Sequence, residues 1–143
     1  MIVSCFGHRN VPLEISEKLK TALIAIMKKY GSITIYVGNH GSFDFCVASV
    51  AQELKRLRYP VEYYIVLAYV PTKISEFAYY RNCQTLVPEG IELAHPKQAI
   101  TKRNYWMVDK AQIVIAYTTK SSGGAVTAVK YAIKRNKEIL YLE

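Results

Sequence analysis

Three short turns hold the residues of this chain with the most chemical potential. They are Gly7-His8-Arg9, Gly38-Asn39-His40-Gly41-Ser42-Phe43-Asp44, and Ser121-Ser122-Gly123-Gly124. An arginine at the first turn, Arg9, can clamp a phosphate through two parallel hydrogen bonds. Gly123 and Gly124 lack the Cβ atoms that keep a ligand away from the main chain. Ser121 or Ser122 can cap the following helix or donate a hydroxyl to an oxygen. Asp44 falls in the first turn of a helix, where the dipole favours a carboxylate and where it can also accept hydrogen bonds from a ribose diol. Each turn also has a plain structural use: a tight, well-capped connection at Ser121–Gly124, a solvated Arg9, a His8 that ties a loop. What the three have in common is the means to hold an anion.

These turns need elements to position them. The third sits between Ile113–Tyr117, a short β-rich run apolar enough for a strand buried on both faces, and a helix over Gly124 to about Arg135. Val126, Val129, Ala132 and Ile133 are the expected apolar side of that helix. Strand, Ser/Gly turn and helix together aim backbone N–H groups at an anion. The first turn ends a strand at Ile2–Phe6, and the second follows a strand at Ile33–Val37. Between them a helix is expected over Leu13–Tyr30, with Leu19, Leu23, Ile26, Met27 and Tyr30 as its stripe and Gly31 as its stop. A helix over Ser42–Leu57 packs through Val47, Ala48, Ala51 and Leu54, and Glu62–Leu67 is the next strand.

From Ala68 to Pro96 the periodicity weakens. A short helix near Ser75–Tyr80 and an extended piece at Thr85–Val87 are expected there. Pro96 opens a helix that ends near Asp109 and Lys110, and Glu138–Leu142 is the last strand. Alternating strands and helices predict an α/β fold: a Rossmann-like three-layer α/β/α sandwich on a mostly parallel sheet of about five strands, one domain over residues 1–143. The long excursion marks the reversal of direction, giving the order 3-2-1-4-5. Ligands in such sheets bind outside the carboxyl ends of the strands at the reversal, where the first and third turns would share one crevice.

Bulk properties agree with an anionic partner. The chain has 143 residues, 51% of them hydrophobic, a net charge of +8 and a pI near 9.4. No apolar run reaches the roughly 18 residues needed to cross a bilayer, so no membrane partner is expected. The N-terminus lacks the charged-then-apolar order of a signal peptide, and a cytoplasmic location is expected. Cys5, Cys46 and Cys83 are scattered and form no CxxC, which argues against a metal site and a disulfide framework. No cofactor is indicated: GxGxxG and the Walker pattern are absent. Nothing resembling G-x-S-x-G marks a nucleophile, and no paired carboxylates flank the glycine turns. On the helix before the fourth strand, Arg103 can reach a phosphate and Tyr105 or Trp106 a base, although Trp106 packed under the sheet is the simpler reading. Lys130, Lys134, Arg135 and Lys137 form a basic face that would serve nucleic acid if continuous with Lys102, Arg103 and Lys110.

The ordered set is Gly-His-Arg at 7–9, Gly-x-x-Gly-x-x-Asp at 38–44, Arg-x-x-Trp-Met-Val-Asp at 103–109, and Gly-Gly-x-x-x-x-Val-x-Tyr-Ala at 123–132. It resembles the SLOG superfamily of Rossmann-like proteins, and within it the small YpsA/YspA-like branch. The resemblance covers Ile2 to Leu142. It implies binding of a nucleotide or nucleotide-derived ligand at Gly7, His8, Arg9, Gly38, Gly41, Asp44, Arg103, Ser122, Gly123, Gly124 and Thr127, with Ser121 beside them. The related Lonely Guy group cleaves an N-glycosidic bond and carries Pro-Gly-Gly-x-Gly-Thr-x-x-Glu. Here Ser122 replaces the proline, Val126 the third glycine and Lys130 the glutamate, which reverses the local charge. The expected function is therefore nucleotide binding by a sensor or accessory protein. The alternatives are an N-glycosidase or deoxyribosyltransferase-like enzyme and, more weakly, single-stranded nucleic-acid binding as in the DprA members. The tyrosines around Tyr63–Tyr80 suggest a sticky patch and a homo-oligomer.

Overall fold

A computed structural model describes residues 1–70 and 83–143. Its strands are Ile2–Gly7 (β1), Ile33–Val37 (β2), Val61–Val66 (β3), Thr85–Leu86 (β4), Ile113–Tyr117 (β5) and Glu138–Tyr141 (β6). They form one parallel sheet in the order β4-β3-β2-β1-β5-β6. The order expected from the sequence lies inside this one. The sixth strand is the extended piece at Thr85, which pairs with Ile65 and Val66 as an outer edge. The helix expected near Ser75–Tyr80 lies outside the described residues.

Helices Ile15–Tyr30 (α1) and Ser42–Arg56 (α2) cover one face; Pro96–Lys110 (α3) and Gly124–Lys134 (α4) cover the other. Alternation along β1 sends Val3 and Cys5 to the α1/α2 side and Phe6 to the α3/α4 side. Leu19, Leu23, Val47 and Leu54 pack against the first side; Met107, Val108, Ala128 and Ala132 pack against the second. All five residues of β5 are buried, as a central parallel strand requires.

The structure corrects several helix readings. α1 begins at Ile15 because the chain after Pro12 first makes a turn, in which the Ile15 N–H donates to the Pro12 carbonyl, and Leu13 is left 94% exposed. Tyr30 is exposed with Lys29 over its ring, so it is not part of the buried stripe. On α4 the buried face is Ala125, Ala128, Val129 and Ala132, while Ile133 is 57% exposed. Two overlapping series on that helix have helical spacing, and the one with the small side chains faces inward. The remaining strand and helix ends differ from expectation by about one residue.

Candidate functional site

β1 and β5 run side by side from Val3↔Ile113 to Gly7↔Tyr117. Beyond that pair the chain turns to α1 from one strand and to α4 from the other. The divergence opens a crevice of about 360 Å³ at the carboxyl edge of the sheet. Its walls come from the β1 exit (Gly7 to Asn10), the β2 exit (Gly38, His40), Asp44 on α2, Arg103 and Asn104 on α3, and the loop into α4 (Lys120, Ser122 to Ala125). Arg9 and Gly123 line the same crevice.

His8 is the tie between two of these walls. Its Nε2 accepts the backbone N–H groups of Thr119 at 2.8 Å and Lys120 at 3.0 Å. Only an unprotonated Nε2 can accept, so the ring is neutral with its proton on Nδ1. Burial first, and Lys120 second, lower the His8 pKa and favour that form. The His8 N–H donates to the Tyr117 carbonyl, which continues the β1–β5 ladder into the crevice. His8 therefore shapes the loop that leads to Gly123.

The glycines divide by what a side chain would meet. A Cβ on Gly7 would lie 2.2 Å from Phe43 Cγ, and one on Gly38 would lie 3.0 Å from the Arg103 guanidinium. Gly41 has φ +95, and its Cβ would lie 2.6 Å from Arg9 Cα. These three are glycine because the chain itself fills the space. A Cβ on Gly123 or Gly124 would meet nothing within 4 Å. Gly123 needs glycine for its φ of +119; Gly124 has no such need. α4 begins here without a side-chain cap.

Arg103 is 3% exposed. Its Nη1 donates to Asn39 Oδ1 at 2.9 Å and to the Val66 carbonyl at 3.2 Å, and Nε donates to Asn104 Oδ1 at 3.1 Å. It thus joins the β2 turn, the end of β3 and α3. Asp44 accepts the His40 N–H at 2.8 Å. Burial pushes its carboxyl up to about 6, against the opposing pull of that hydrogen bond and of Arg103. Among the described residues it is the sole acidic group lining the crevice. His40 is lowered by burial, then by Arg103 and Arg9. Burial raises the Cys5 thiol, so this lining cysteine is an unreactive protonated one. Ser42 Oγ donates to the Arg9 carbonyl and accepts the Val11 N–H at 3.2 Å, which fixes the first turn to the start of α2.

Most of the expected positions converge: Gly7, His8, Arg9, Gly38, Asp44, Arg103, Ser122, Gly123 and Gly124 all line the crevice. Gly41 lies behind Arg9, and Ser121 is exposed next to the lining residues. The Thr127 hydroxyl donates to the Gly123 carbonyl at 3.0 Å, one turn back along the helix. Trp106 stacks on Tyr36 at 5.4 Å, and Tyr105 on Tyr131 at 4.1 Å, so both rings pack against the chain's own aromatics. Arg103 is too buried to extend a basic surface to Lys130. Lys120, His40 and Asn104 line the crevice but were not among the expected residues. Lys120 was within reach of sequence reasoning, as the one cation in the turn before Gly123. Among the described residues no group of side chains could hold a metal, and no helix is long and apolar enough to cross a membrane.

No protein-family model matches the sequence, and no curated protein matches it either. Solved structures match by fold. DNA processing protein A from Helicobacter pylori, studied for its single-stranded DNA binding mode, has a TM-score of 0.73 and 14% identity over 100% of this chain and 65% of that one. DNA processing protein A (DprA) from Streptococcus pneumoniae has a TM-score of 0.72 and 14% identity over 99% of this chain and 50% of that one. The chain thus spans 65% and 50% of the length of these two proteins. At this identity the likeness is one of fold, and it agrees with the Rossmann-like architecture expected from the sequence.

Proposed function

We propose that the crevice binds a nucleotide or nucleotide-derived ligand, with phosphate on the main chain at Gly123–Gly124 and ribose beside Asp44. The observation that carries this is the contrast between the glycines. Gly7, Gly38 and Gly41 are filled by Phe43, Arg103 and Arg9, whereas Gly124 borders open space at an ordinary backbone angle. A glycine there gives the fold nothing and gives a ligand close access to the backbone. Arg9 and Lys120 add positive charge at the same place. The volume of about 360 Å³ is in the range of small-molecule sites.

The role that fits is a sensor or accessory protein. Glycosidic cleavage of the Lonely Guy kind uses a glutamate where this chain has Lys130. A second reading, single-stranded nucleic-acid binding, is favoured by the fold likeness to the Helicobacter pylori protein and by the net charge of +8. Its mark is affinity for an oligonucleotide that falls steeply with salt. Calorimetry separates the two: the leading reading expects heat on titrating nucleoside mono-, di- or triphosphates, with weaker binding in Gly124→Val. Silence with all of them at millimolar concentration, alongside salt-sensitive oligonucleotide binding, selects the second.

A further inference from the structure

Asp44 differs in charge from the rest of the crevice. Arg9, Arg103 and Lys120 are cationic, and among the described residues no second acid lines the walls. A ligand phosphate is drawn to the cations and repelled by the carboxylate, so Asp44 suits another part of the same ligand. Its two oxygens are used unequally. Oδ2 accepts the His40 N–H at 2.8 Å. Oδ1 has no hydrogen-bond partner among the described residues, and no buried side-chain oxygen there is unpaired, so Oδ1 reaches the surface of the crevice. An ionised carboxylate oxygen only accepts, and this one has its lone pairs free. Burial is the main cause that raises the Asp44 pKa to about 6, so water solvates the carboxylate poorly. A ligand donor at Oδ1 supplies the hydrogen bonds that the fold withholds.

We propose that Asp44 makes the crevice selective for ribonucleotides over 2′-deoxyribonucleotides, by accepting the 2′- and 3′-hydroxyls at Oδ1. This rests on the nucleotide reading above and adds the class of sugar to it. The two hydroxyls of ribose are neighbours on one face of the ring, so one oxygen with two lone pairs can hold both. The His40 N–H holds the carboxylate from its other side, so Oδ1 is oriented before a ligand arrives. β1 separates β2, which leads to Asp44, from β5, which leads to Gly123 and Gly124. Two strand spacings are about 10 Å, so phosphate and sugar of one nucleotide can reach the two walls together. A 2′-deoxy sugar is smaller and meets no steric barrier. It is disfavoured because it leaves a poorly solvated charged acceptor short of a donor.

The test is calorimetry on the full chain at pH 8, where Asp44 is ionised. The probes are AMP, GMP, CMP and UMP and the corresponding triphosphates, each beside its 2′-deoxy and 2′,3′-dideoxy counterpart. For the base that binds, the ribo form is expected to bind about ten-fold or more tightly than the 2′-deoxy form, with the dideoxy form weaker still. Asp44→Ala is expected to bring that ratio close to one. Lys120→Ala is expected to weaken the ribo and deoxy forms alike and keep the ratio. A merely structural role for Asp44 would likewise weaken both forms and leave the ratio unchanged. If Asp44→Ala fails to fold, Asp44→Asn replaces it; a neutral acceptor holds a hydroxyl about half as strongly, so the preference is expected to shrink. Equal binding of the ribo and deoxy forms by wild type overturns this inference and leaves the nucleotide reading standing, as does a preference undiminished in the Asp44 variant. Absence of binding by every probe overturns both.

Discussion

His8 Nε2 accepts the Thr119 N–H at 2.8 Å, so the end of β1 holds the loop that leaves β5. The contact joins residues 111 positions apart and sits at the reversal point of the sheet. It orders the main chain that leads to Gly123.

Replacing His8 by alanine removes both of its accepted hydrogen bonds. Each is worth about 1 kcal/mol, so a loss of ~2 kcal/mol in urea unfolding is expected, with weaker nucleotide binding. The pH dependence has a definite sign. The His8 pKa is lowered in the fold, so below the ordinary value of 6.5 the unfolded chain binds the proton more readily. The His8 contribution is complete above that value and declines as pH falls through the window beneath it. Melting curves across this range for wild type and His8→Ala should converge toward acid pH.

Asp44 has the opposite sign. Its carboxyl rises from 3.8 to about 6, so the folded chain binds the proton more tightly and stability falls as pH rises between those values. A rise of roughly two units at ~1.4 kcal/mol each makes the ionised form up to ~3 kcal/mol costly. Asp44→Asn keeps an acceptor for the His40 N–H, and should stabilise the protein at pH 8 by about 1–3 kcal/mol. The advantage should shrink as pH is lowered toward 4. A destabilised Asn variant at pH 8 would show that the charge is compensated.

The glycine contrast predicts opposite outcomes for one chemical change. Gly7→Ala drives a methyl into the Phe43 ring and should cost about 1–3 kcal/mol or more. Gly124→Ala enters open space in the first turn of α4, and should leave stability unchanged or raise it by about 0.5–1 kcal/mol. Chemical denaturation of the two variants side by side checks this.

Arg103 should tolerate no replacement. Lysine cannot reach Asn39, Asn104 and the Val66 carbonyl together, so Arg103→Lys leaves buried acceptors without donors. A loss of about 2–4 kcal/mol is expected in urea unfolding.

The sheet order was legible because each strand is a short apolar run flanked by turn residues, and the long gap after β3 marks the reversal. The convergence of Arg9, Asp44 and Gly123 followed from that order alone. The separate reasons for the glycines were hidden, since Phe43 lies 36 positions from Gly7 and Arg103 lies 65 from Gly38. Arg103 suited a phosphate by type, but its burial and its bonds to Asn39 and Val66 come only from tertiary packing. Thr127 matched a motif by spacing, while its hydroxyl follows the helix and bonds one turn back. The buried face of α4 was misread because branched side chains outweighed alanines in the periodicity.

The most direct test of the crevice as a ligand site is calorimetric titration of a nucleotide panel into wild type and Gly124→Val. Wild type is expected to bind saturably and the variant at least about ten-fold more weakly, corresponding to ~1.4 kcal/mol, with its melting temperature preserved. Equal affinity in the two proteins would contradict it, as would the absence of heat from every nucleotide at millimolar concentration.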